Sequence, residues 1–177
     1  MKHGNNNISN LKNVYELLKI NGEAVRYTEN IQWITIYENI LHKLILGITD
    51  KGEYLFIDSG KLFLINEKKM FLYCVRLLEI PYAEIQKYIE VRFKNVLLEI
   101  KLMGMEIFPY YEIIEFALNN MFNDYWIELV WQWYEQLSQS DKIELCDLLG
   151  ELTNMKKISQ QNRNIAKREI NRLVQDK

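Results

Sequence analysis

The residues able to do chemistry are few and scattered. They are His3, His42, Cys74, Cys146 and three pairs of acids at helical spacing: Glu112 with Glu115, Asp124 with Glu128, and Glu144 with Asp147. Carboxylates one helical turn apart can hold Mg²⁺ or divide the roles of general acid and base. Either use needs further groups from another element, and no spacing in the chain supplies them. His3 belongs to a polar, Asn-rich terminus expected to fray, and His42 sits between Leu41 and Lys43 in an expected helix. Without a second ordered histidine no His-rich metal site can form. Glu-x-x-His, Cys-x-x-Cys, Walker, Gly-x-Gly-x-x-Gly and Gly-x-Ser-x-Gly patterns are all absent from the sequence. The chain therefore reads as a non-enzyme with no metal and no cofactor.

The acids read better as a surface. Between Met105 and Gly150 stand Glu106, Glu112, Glu115, Asp124, Glu128, Glu135, Asp141, Glu144 and Asp147, against Lys142 alone. That local excess contrasts with a net charge of −2 for the whole chain. A one-signed field steers a partner of opposite charge and raises its association rate; solvated helix faces are the alternative reading. The partner so expected is a basic protein, for example a nuclease with a cationic substrate groove. Tight binding also needs aromatic anchors. Trp131 borders the acidic strip of its helix and Phe116 falls on the polar side of its own. The expected partner-binding residues are thus Glu112, Glu115, Phe116, Asp124, Glu128, Trp131, Glu135, Glu144 and Asp147.

These residues need helices to position them, and the same stretch predicts three. Ile113, Ile114, Ala117, Leu118 and Met121 share one helical face. Asn123 or Asp124 can cap the next helix, in which Trp126, Ile127, Leu129, Val130, Trp131, Trp133, Tyr134 and Leu137 cover more than half of the wheel. Trp126 and Trp133 read there as core. Asp124, Glu128 and Glu135 fill the remaining strip. Ser140 can cap a third helix with the stripe Leu145, Leu148, Leu149 and Leu152. In each helix the acids oppose the core face, so antiparallel neighbours can bring the three strips to one surface.

The rest of the chain predicts more helix. Ile8, Leu11, Val14, Tyr15 and Leu18 recur at helical spacing and Asn21-Gly22 closes that helix. From Thr28, the residues Ile31, Ile34, Tyr37, Ile40, Leu41, Leu44, Ile45 and Ile48 keep a 3.6 period up to Asp50-Lys51-Gly52. Residues 54–65 fit a β-hairpin or short helical turns, and the helical context favours the latter. Glu67–Glu79 predicts a helix with Met70, Phe71, Cys74, Val75 and Leu78 inward. Pro81 opens another, running to Met103 with Ile85, Tyr88, Ile89, Phe93, Val96 and Ile100 inward and Gly104 as its cap. A basic closing helix follows, capped by Ser159, with Ile165, Ala166, Ile170, Leu173 and Val174 inside.

The fold class expected is all-α: antiparallel helical hairpins, HEAT- or armadillo-like from their recurrence at about 35 to 45 residues, with at most one small β-hairpin. At 177 residues a single helical domain, 1–177, is expected, with possible sub-halves 8–66 and 67–175. Composition is that of a folded protein, at 49% hydrophobic and 26% charged. The mild acidity argues against broad nucleic-acid binding. No apolar run is long enough for a membrane span, so no membrane partner is expected. No signal peptide is read at the start, and Cys74 and Cys146 read as reduced, buried thiols. Together these place the protein in the cytoplasm.

The run YWIELVWQWYEQL, a Leu-rich helix and then KKISQQNRNIAKREINRL complete the picture. This layout, from Tyr110 to Leu173, resembles the C-terminal half of helical immunity proteins encoded beside bacterial polymorphic or contact-dependent toxins. Its closing helix carries Ser159, Gln160, Arg163 and Ala166. The resemblance implies a protein that binds and neutralises one cognate toxin in the cytosol, with no cofactor; no binding residue transfers by position. A helical-repeat scaffold for protein–protein interaction, without catalytic activity, is the second expectation.

Overall fold

A computed structural model describes residues 3–28, 30–100 and 107–175. The fold is mixed α/β, with 59% helix and 18% strand, and a five-stranded antiparallel sheet overturns the all-α expectation. A helix content above one half suits an all-α chain and this one alike, so content alone does not separate them. Residues 1–74 and 83–109 form one compact unit, and residues 75–82 and 110–177 form a second.

The first unit opens with α1 (His3–Ile20). Leu11, Val14, Tyr15 and Leu18 are its buried face, and it packs on the sheet at β2 and β3. Its end closes as the Asn21-Gly22 pair requires: the Glu23 N–H donates to the Leu18 carbonyl at 3.0 Å, and Gly22 takes a φ of 86°. The helix starts at His3, where the sequence suggested a frayed terminus. The sheet is an up-and-down meander of β1 (Val25–Thr28), β2 (Ile31–Asn39), β3 (Leu44–Thr49), β4 (Tyr54–Asp58) and β5 (Lys61–Ile65).

The helix expected from Thr28 is in fact β2 and β3. In β2 the five consecutive residues Trp33, Ile34, Thr35, Ile36 and Tyr37 are all buried. A strand covered on both faces shows no alternation of apolar and polar residues, and its apolar run can satisfy a helical period by accident. Ile40 and Leu41, counted in that stripe, lie instead in the β2–β3 turn. The neglected signal was the density of β-branched and aromatic residues. Residues 54–65 are likewise a hairpin, paired from Tyr54↔Ile65 to Asp58↔Lys61. Ser59 and Gly60, at φ 50° and 84°, make the two-residue loop whose twist suits a hairpin.

Trp33 closes one face of the sheet over Gly47. A Cβ on Gly47 would stand 2.5 Å from Trp33 Cε3 and 2.9 Å from the Ile34 carbonyl oxygen. The indole N–H donates to Thr28 Oγ1 at 3.3 Å, and the Arg26 guanidinium lies 5.3 Å from the ring centre. On the other face Tyr37 meets Tyr88 edge-on at 5.1 Å and Phe108 at 6.4 Å. Burial, above all, pushes the Tyr37 phenol up to about 12.

Past β5, Lys68–Leu72 and Cys74–Glu79 are 3₁₀ turns rather than one α-helix, although Phe71, Cys74, Val75 and Leu78 are buried as expected. The expected helix from Pro81 is two, α2 (Tyr82–Arg92) and α3 (Lys94–Ile100). They break at the buried Phe93, and Ile85, Ile89 and Val96 are buried with it. Met103 and Gly104 lie outside the described residues.

The second unit is helical among the described residues: α4 (Tyr110–Asn120), α5 (Asp124–Tyr134), α6 (Gln139–Glu144), α7 (Cys146–Asn154) and α8 (Gln160–Gln175). Trp133 is fully buried and its indole N–H donates to the Ile80 carbonyl at 3.0 Å. The HEAT- or armadillo-like array is not formed, because the first half of the chain is built around the sheet.

Gly47→Ala should destabilise the protein by about 1–3 kcal/mol, the usual cost of forcing a methyl into a filled core. Urea unfolding monitored by tryptophan fluorescence measures it; a loss under about 0.5 kcal/mol would show that Trp33 does not hold the position described.

Candidate functional site

The acids of α4 and α6 meet around two tyrosines. Tyr110 Oη lies 3.4 Å from Asp141 Oδ2, and Tyr111 Oη lies 3.4 Å from Glu144 Oε2, each phenol donating. Burial first, then neighbouring charge, pushes both phenols above their ordinary range: Asp141 and Glu112 act on Tyr110, and Glu115, Glu144 and Asp141 on Tyr111. Both therefore stay protonated donors at any ordinary pH. The carboxylates they serve are concentrated in one region of the second unit. Glu144 is exposed, and Glu112 and Glu115 are half-buried.

The local fold makes this meeting possible. Ile113, Ile114, Ala117 and Leu118 bury one side of α4, which leaves Glu112 and Glu115 on the other. Ser138, not Ser140, caps α6, its hydroxyl accepting from the Asp141 N–H at 3.2 Å. The expected third helix is broken at Leu145 into α6 and α7. Leu145, Leu149 and Leu152 are fully buried and Leu148 half-buried, so the leucine stripe survives the break.

Lys142, the lone base of the stretch, is turned inward. It is 8% exposed, and its ammonium donates to the Glu135 carbonyl at 2.9 Å, at the C-terminus of α5, with the Tyr134 ring 5.5 Å away. A cation there satisfies a carbonyl that the helix leaves open and favours the negative end of its dipole. Burial, with Arg172 nearby, lowers the Lys142 pKa. Spent on α5, this charge is withdrawn from the acidic surface.

The other expected site residues separate into two groups. Glu128, Glu135 and Asp147 are exposed, and no described contact joins Glu128 or Glu135 to the acids around Tyr110 and Tyr111. Phe116 is half-buried. Asp124 and Trp131 are engaged inside the unit. Asp124 Oδ1 accepts from the Ser159 N–H and from Asn162 Nδ2, both at 2.8 Å. Trp131, only 8% exposed, donates its indole N–H to Asn162 Oδ1 at 2.9 Å. One carboxylate and one amide thus pin the start of α8 to α5. Those hydrogen bonds hold the Asp124 carboxyl below the usual aspartate value.

Three participants were not in the expected set. Tyr110, Tyr111 and Asp141 complete the acidic region, and Tyr111 with Glu115 at i, i+4 was the available signal. Tyr125, 54% exposed on α5 with its hydroxyl donating to Glu79 at 2.8 Å, is a more accessible aromatic than Trp131. Among the described residues no group of three or more His, Cys, Asp and Glu is gathered to hold a metal ion, and no helix is long and apolar enough to cross a membrane. No protein-family model, curated protein or solved structure matches the chain.

The pattern Ser159, Gln160, Arg163 and Ala166 has a structural explanation in this chain. Ser159 Oγ accepts from the Asn162 N–H at 3.2 Å and caps α8. Arg163 donates to the Met155 and Ile158 carbonyls and to Gln160 Oε1, fastening the α7–α8 turn. Ala166 is fully buried.

Two outcomes follow for the Asp124 network. Trp131→Phe strands the Asn162 oxygen and should cost roughly 1–3 kcal/mol of stability, read by urea unfolding. Asp124→Ala should destabilise at neutral pH. Because the folded pKa is depressed, that contribution is complete above the unfolded value of about 3.9 and is lost as pH falls below it. Wild type and Asp124→Ala should therefore converge in thermal melts taken under strongly acidic conditions; a constant difference would assign the effect to packing.

Proposed function

We propose that the protein is a non-catalytic inhibitor of the immunity type. It binds a basic protein toxin in the cytoplasm and neutralises it through the acidic face of its helical unit. One observation carries this reading: Asp141 and Glu144 of α6 accept from Tyr110 and Tyr111 of α4, the charges of Glu112 and Glu115 on α4 act on the same two phenols, and the only lysine of the stretch is turned inward. Such a face attracts a cationic partner over long range and offers it carboxylates already oriented by phenol donors. The tyrosines also supply rigid amphipathic area at the centre of the patch, which is the residue type favoured at binding hot spots. The layout of the helices from Tyr110 to Leu173, read in the sequence, supports the same function.

The test pairs the protein with the toxin encoded beside its gene. Glu112→Lys combined with Glu144→Lys should slow association roughly tenfold or more and flatten its salt dependence. Cells carrying that variant should lose protection against the toxin. Full protection by the doubly reversed variant, with its circular dichroism unchanged, would remove the acidic face from the interface.

A further inference from the structure

The last helix of the second unit presents amides and cations on its outer side. α8 buries Asn162, Ala166 and Leu173 and packs on α7. At about 100° per residue, Gln160, Asn164, Asn171 and Gln175 fall on one line down the opposite side, and all four are exposed. Lys167 stands at one margin of that line and Arg168 at the other, both exposed. Lys156 and Lys157, exposed in the turn that leads into α8, extend the charge past its start. Gln160 Nε2 donates to Asn164 Oδ1 at 2.7 Å, and Arg163 donates to Gln160 Oε1 at 2.8 Å, so the first two amides are held as a pair.

The acids around this face are few. Glu169, the one acid among the described residues of α8, lies on the inner side of the wheel, half-buried, and pairs with Arg172 at 2.8 Å. Arg172 is therefore not counted with the outer cations. Asp124, at the start of α8, is occupied by Ser159 and Asn162. On α7, Asp147 and Glu151 are exposed, on the side away from the buried Leu149 and Leu152. They are the acids that a polyanion on α8 meets, two against the four cations Lys156, Lys157, Lys167 and Arg168. A face of cations alone suits any polyanion. A line of amides between cations suits one whose phosphates flank hydrogen-bonding edges.

We propose that the outer face of α8 docks into the major groove of duplex DNA. The groove admits one α-helix, and asparagine and glutamine pair bidentately with adenine there. The amide line lies against the base edges. Lys167 and Arg168 reach the phosphates on either side, and Lys156 and Lys157 meet the backbone beyond the start of the helix. The mild net acidity of the chain bears on binding over the whole surface; the acids that produce it in this unit stand mainly on α4 to α7. The reading does not depend on the proposed inhibitor role, since none of its residues belongs to the acidic face.

The experiment is fluorescence anisotropy of labelled DNA duplexes, one rich in A·T and one in G·C pairs, titrated with the full chain at several salt concentrations. Binding should appear at low salt, with a slope of log K against log salt of about −3 to −4, as four phosphate contacts require. Lys167→Gln combined with Arg168→Gln should reduce that slope by about two and weaken binding on the order of tenfold or more. The A·T-rich duplex should bind roughly fivefold tighter, and Asn164→Ala combined with Asn171→Ala should remove that preference while leaving the slope unchanged. Circular dichroism and thermal melts establish that each variant is folded. Absence of binding to either duplex at low salt overturns the proposal, as does binding that the Lys167 and Arg168 variant retains in full. Tighter binding to the single strand than to the duplex, or binding to phosphatidylglycerol vesicles without binding to DNA, would overturn it equally.

Discussion

One carboxylate ties the last helix of the helical unit to α5. Asp124 stands in the first turn of α5, yet its side chain spends its acceptor capacity on Ser159 and Asn162, at the start of α8. Through Asn162 the same link reaches the indole of Trp131. A charged acceptor serving two donors makes hydrogen bonds stronger than neutral ones, and its position at the N-terminus of a 16-residue helix suits the helix dipole. α8 packs chiefly on α7, which also packs against α4, and the Asp124 link ties that pair to α5. The acids of α4 and α6 reach Tyr110 and Tyr111 within that frame.

A second constraint is the division of labour among charges. Asp124 and Lys142 are both drawn inward, one to cap α8 and the other to close α5. Glu112, Glu115, Asp141 and Glu144 are left to define the electrostatic character of the region around the tyrosines. Counting charges along the chain exposes the excess but cannot say which charge is structural. Arg163 makes the same point in the basic closing helix, where it fastens a turn through backbone carbonyls.

The second unit was legible because its helices bury one face. Asn123 caps α5, its side-chain oxygen accepting from the Trp126 N–H at 3.1 Å, and this cap, the inward leucines of α7 and the buried Trp133 all follow from period and cap chemistry. Trp131 was harder: a border position on a wheel does not reveal that a buried amide waits for its N–H. The first unit was misread where burial is two-sided. Trp33 to Tyr37 present no polar alternation, so a helical period fitted them as well as a strand, and Ile40 and Leu41 joined that stripe from a turn. Composition held the better signal, as did Ser59-Gly60 after Asp58, whose turn chemistry marks a hairpin. The meeting of Tyr111 with Glu144 is a contact between helices, and sequence spacing within one helix does not contain it.

Zero-length carbodiimide cross-linking of the protein to a basic toxin encoded beside its gene, the partner proposed for it, tests the central claim most directly. Carbodiimide joins carboxylates to lysines in contact, so the linked acids identify the face that meets the basic partner. Links should fall on Glu112, Glu115, Asp141 and Glu144, and disappear when high salt is added before the reagent. Links confined to acids of the first unit, such as Glu16, Glu53 and Glu90, or a salt-resistant complex with none at these four acids, would contradict the account.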